Sequence, residues 1–158
     1  MARHNAFAAI SVDEQHGLGG DLMPVLLDVV QQRADAIDLP VVRVVRRLPE
    51  GWRHVMLAAL VIDDIEEAEC LAGAFVDVRD ARDVMALERF FSSIGAAALA
   101  RAFEQAREQT AVLVDEDMDP LDIDELRDVG TDELDLRDAR NAVARRAREL
   151  RLPFPAAR

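Results

Sequence analysis

Apolar residues recur at three- and four-residue spacing along most of the chain, a period that predicts helices. Leu22, Leu26, Val29, Val30 and Ile37 share one face, with Pro24 in a first turn that tolerates proline and Asp21 as N-cap, so a helix is expected near 22–36. Val41, Val42, Val44, Val45 and Leu48 fit a short helix, although their β-branching also suits a strand, and Pro49 and Gly51 follow as breakers. Trp52, Val55, Met56, Ala59, Leu60 and Ile62, widened by Leu57 and Val61, line the broad face of a central helix. Acids take over from Asp63, and a separate helix is expected over 66–76 around Cys70, Leu71 and Phe75. Val84, Leu87, Phe90, Phe91 and Ile94 form another face, Gly95 suits a helix end, and Leu99, Ala102, Phe103 and Ala106 form the next. These predict an antiparallel helical hairpin across Gly95.

Residues 115–130 are acid-rich, with Asp119-Pro120 as the expected start of a helix and Gly130 as its stop. Thr131 is the expected N-cap of a last helix, whose face is Leu136, Ala139, Val143, Ala147 and Leu150 and which Pro153 and Pro155 end. No alternating pattern supports a strand, and no internal repeat is present. The expected fold class is all-α, a single-domain irregular bundle of about seven helices over 21–152, with a flexible lead-in over 1–20 and a tail over 153–158.

Length and composition narrow the function classes. A chain of 158 residues suits one domain and buries roughly 68–70% of its unfolded surface, enough for a core without staples. Cys70 is the only cysteine, so no internal disulfide forms. The longest apolar run, Val55 to Ile62, is far short of the ~20 residues of a membrane span. Arg3 and His4 are not followed by the apolar region of an export signal, so a cytoplasmic location is expected.

Charge changes the picture most. The chain has 31 acids against 19 bases, every base is Arg, and the net charge is −12. Such a balance disfavours direct contact with nucleic acid or an anionic membrane. The charge is unevenly spread: residues 1–114 carry −7, residues 115–138 carry −10, and residues 139–158 carry +5. A fully helical 24-residue block would span ~36 Å, so its 12 acids fall one per ~3 Å. One DNA strand carries a phosphate every ~3.4 Å. The block therefore offers a phosphate-like density of carboxylates, and the candidate partner-binding residues are Asp115, Glu116, Asp117, Asp119, Asp122, Asp124, Glu125, Asp128, Asp132, Glu133 and Asp135. Met118, Leu121 and Leu126 are candidates for an apolar centre among them. Arg145, Arg146, Arg148 and Arg151 form a basic patch that either folds back on the acids or makes the partner surface bipolar. The plain alternative is a solvated acidic face.

Ordinary catalytic and metal chemistry finds few parts. Read as a calcium loop from Asp115, positions 1, 3 and 5 fit, but position 6 is Pro120 instead of Gly and position 12 is Leu126 instead of Glu. Asp63, Glu66 and Glu67 have helical ligand spacing, yet the chain holds no Glu-x-x-His to complete a di-iron site. Gly17-Leu18-Gly19-Gly20 lacks the Lys of a phosphate loop. Cys70 has no base positioned by the sequence and reads as a small buried apolar residue. No catalytic residue, metal or cofactor is expected, and the protein is not expected to be an enzyme.

The stretch Val61-Ile62-Asp63-Asp64-Ile65-Glu66, followed by Ala86-Leu87-Glu88 and Ile94-Gly95-Ala96 with the Ala-rich helix beyond, resembles a bacterial family of small acidic helical proteins that includes a DNA mimic. The similarity covers about residues 52–108, and Glu67-Ala68-Glu69-Cys70-Leu71 stands where that family carries an Asn-Gly-Gly-Phe turn. It implies an all-α fold and charge mimicry, and it supplies no catalytic residues. Related families also occur as immunity proteins beside toxins. The leading expectation is an acidic inhibitor that masks the basic surface of a DNA-binding protein or a nucleic-acid-targeting toxin. The alternatives are a metal- or small-molecule-dependent enzyme and a structural adaptor or homodimer subunit.

Overall fold

The structure, a computed structural model, describes residues 22–108 and 119–150. Seven α-helices form among them: α1 (Leu22–Ile37), α2 (Val41–Arg46), α3 (Glu50–Ala68), α4 (Ala81–Ser93), α5 (Ala97–Glu108), α6 (Asp124–Arg127) and α7 (Leu136–Glu149). Three 3-10 turns, Leu71–Phe75, Pro120–Asp122 and Thr131–Glu133, complete the order. The described residues contain no strand, only a backbone bridge between Cys70 and Gly130, so the fold is all-α. No described helix is long and apolar enough to cross a membrane. The expected lead-in, the Asp21 cap, Met118 and the terminal prolines lie outside the described residues.

The described residues fall into two compact units. One comprises 22–57 and 144–150, with Leu26, Val30, Val45, Trp52, Val55 and Met56 in its interior. The β-branched run 41–46 is helical because Val42, Val44 and Val45 are all buried, so packing overrides propensity. Arg33 is buried in the same unit, and burial pulls its guanidinium below the usual range.

The other unit comprises 58–108 and 119–143. Its interior is built on Phe75, Phe91 and Phe103, with both ring pairs to Phe103 at 5.3 Å between centroids. The α4–α5 hairpin turns at Gly95, whose φ of +82° is the left-handed conformation that glycine adopts without cost. Asp80 caps α4 by accepting from the Arg82 amide at 2.7 Å.

Two boundaries differ from the sequence reading. The acids from Asp63 onward do not end the central helix, and the separate helix expected over 66–76 is reduced to the 3-10 turn Leu71–Phe75. Instead α3 runs to Ala68, because Ile65 extends its buried stripe past the acids, and Glu69 ends it with φ +59°. Thr131 does not cap the last helix. It begins a 3-10 turn, and α7 starts five residues later, after Asp135 with φ +50°.

Candidate functional site

Eight of the eleven candidate acids lie among the described residues, and Asp115, Glu116 and Asp117 do not. Asp119, Asp122, Asp124, Glu125, Asp128, Asp132, Glu133 and Asp135 are all exposed. Their arrangement follows from how little of this stretch is apolar. Pro120, Leu126 and Leu134 turn inward and are buried, and the polar residues between them turn out. Leu126 is only 4% exposed, so it anchors the stretch and is not open to a partner, whereas Leu121 is 39% exposed. Asp119 spends one carboxylate oxygen on the Leu121 amide at 3.0 Å, which starts the turn at Pro120.

Backbone contacts tether this stretch to the segment that follows α3. The Leu71 amide donates to the Val129 carbonyl at 2.9 Å, beside the Cys70–Gly130 bridge. The tether brings in acids that the sequence reading assigned elsewhere. Glu66 and Glu69, at the end of α3, line a shallow groove with Thr131, Asp132, Asp135, Leu136 and Arg137. Glu66 is also paired with Arg140 of α7. The acidic face is therefore composite, joining residues more than sixty positions apart. Neither block, read alone, signals the other. Arg146, a member of the expected basic patch, pairs with Glu149 of its own helix at 3.3 Å.

Asp64 behaves differently from its neighbours. It is half-buried, and Gly73 of the 71–75 turn sits so close to α3 that a Cβ there would clash with the Asp64 carbonyl oxygen. Burial, the charge of Asp77, a side-chain hydrogen bond with Asp77 and the charges of Asp63 and Glu67 push the Asp64 carboxyl up to about 7. Nothing in the sequence separates Asp64 from the exposed acids beside it.

No group of three or more His, Cys, Asp or Glu among the described residues converges as metal ligands do. Cys70 is buried and has no disulfide partner. Compared with protein-family models, with curated proteins and with solved structures, the chain finds no match.

Proposed function

We propose that this protein is a cytoplasmic acidic inhibitor that occupies the basic, nucleic-acid-binding surface of a partner protein. The observation that carries the reading is the outward display of all eight described candidate acids on a stretch held from beneath by Pro120, Leu126 and Leu134. Glu66 and Glu69 widen the face. The resemblance of 52–108 to a family that includes a DNA mimic supports the same reading. Partner Lys and Arg side chains that normally meet phosphates would pair with these carboxylates. Steering by the −12 net charge would speed encounter and make it salt-sensitive. Leu121, exposed beside these acids, offers an apolar contact.

The test is affinity capture from the source cell at low salt, with elution in a salt gradient. A variant with Asp122, Asp124, Asp128 and Asp132 changed to Asn runs beside the native chain. The expected result is a basic protein that elutes sharply with salt and is lost from the variant. Retention that ignores both salt and the substitutions contradicts the proposal, as does an absence of any retained protein.

A further inference from the structure

Among the described residues the two units carry opposite charge. Residues 22–57 and 144–150 hold eight Arg and five acids, a surplus of three positive charges. Residues 58–108 and 119–143 hold eight Arg and twenty acids, a surplus of twelve negative charges. Within the first unit the Arg are concentrated. Residues 43–53 and 145–150 hold seven Arg against Glu50 and Glu149, a surplus of five. These two segments touch, since a Cβ on Gly51 would lie 3.0 Å from a Leu150 methyl group. Packing turns the Arg outward. Val42, Val44 and Val45 are buried, while Arg43, Arg46 and Arg47, three and four positions apart, share one face and are exposed. Arg145 of α7 is exposed as well.

We propose that this basic patch docks the acidic 119–135 stretch of a second copy of the chain. Charge complementarity chooses the occupant. That stretch has eight acids and one Arg, a surplus of seven negative charges, and all eight acids are exposed. Planar guanidinium groups pair with carboxylates through two parallel hydrogen bonds. Nucleic acid fits the patch less well. Trp52, the only Trp, Phe or Tyr of 22–57 and 144–150, is buried, so no such ring is offered for bases to stack on. A long phosphate chain also meets the repulsion of the −12 net charge. At ~0.1 M ionic strength charges act over only ~10 Å, so two copies respond to the facing patches more than to their total charges. The contact joins two unlike faces, so the assembly is head-to-tail, a ring or an open chain of copies. It covers acids that the proposed function assigns to a partner, but it needs no partner and is measured on the purified chain alone.

Sedimentation velocity over a range of protein concentrations tests the contact. At ~0.1 M salt the average mass should rise above that of one chain as concentration increases, and at ~1 M salt, where charges act over only ~3 Å, it should fall back. Arg43→Glu, Arg47→Glu and Arg145→Glu combined in one variant should weaken self-association at least about tenfold, as should Asp122, Asp124, Asp128 and Asp132 changed to Asn in another. The same three Arg changed to Gln should act in the same direction, and native helical circular dichroism confirms that each variant is folded. The decisive arm mixes the Arg→Glu and Asp→Asn variants. Each keeps the face the other has lost, so the two should pair one to one and grow no further. A native chain that stays monomeric at ~0.1 M salt overturns the proposal. So does association that survives ~1 M salt or both sets of substitutions, or a mixture that stays monomeric. A chain that is monomeric alone but gains mass on a duplex oligonucleotide also overturns it, and assigns the patch to nucleic acid.

Discussion

The α4–α5 hairpin and the acidic stretch 119–135 belong to the same unit and take opposite routes to order. Residues 81–108 hold four acids and four Arg, while residues 119–135 hold eight acids and one Arg. In the hairpin the charges balance, and Arg107 reaches across to Glu88 at 2.8 Å. Two helices of 13 and 12 residues form there, each burying four residues of its apolar face. In the acidic stretch the longest helix is the four residues of α6. Like charges one turn apart, such as Asp124 and Asp128, weaken a helix by roughly 0.2–0.5 kcal/mol per pair. Inward anchors are also sparse. The hairpin is shaped by its own pattern, and the acidic stretch by what it is tethered to.

Phe103→Ala should have the largest effect, because this ring touches both Phe75 and Phe91 and is fully buried. A loss of about 3–5 kcal/mol in denaturant unfolding is expected. Leu126→Ala should cost less, about 2–3 kcal/mol, because a short tethered stretch relaxes more readily than a packed hairpin. Its signature sharpens the comparison: exchange should quicken at the amides of Ile123 and Asp128 while those of α4 and α5 stay protected. Gly95→Ala should be smaller still. No atom lies within 4 Å of the added Cβ, so only the left-handed backbone opposes it. A loss of about 1 kcal/mol is expected in the same unfolding measurement.

Legibility in the sequence followed the same division. The hairpin across Gly95 was readable because the 84–94 and 99–106 faces and the intervening glycine are local signals. The end of α3 was not. Acids from Asp63 onward look like a stop, but Ile65 continues the buried stripe, and the residue that ends the helix is Glu69, a type that does not advertise a left-handed turn. Thr131 looked like a cap because threonine favours that role, yet Asp135 with its positive φ is the residue before α7. Leu126 looked like a candidate contact and is an anchor. Within the candidate site, the exposed acids of 119–135 could be named from charge density alone. Their junction with Glu66 and Glu69 could not, since it depends on the 71–75 turn folding back against α3 and on the bond from Leu71 to Val129.

In the proposed function a particular face, and not net charge, recognises the partner. The most direct test compares two variants that remove the same four charges from the two regions. One changes Asp122, Asp124, Asp128 and Asp132 to Asn. The other changes Asp83, Glu88, Glu104 and Glu108 of the hairpin to their amides. With the captured partner, the account predicts at least about a tenfold loss of affinity for the first, equal to roughly 1.4 kcal/mol, and little change for the second. Equal losses in the two variants would contradict it, because the partner would then be reading only total charge.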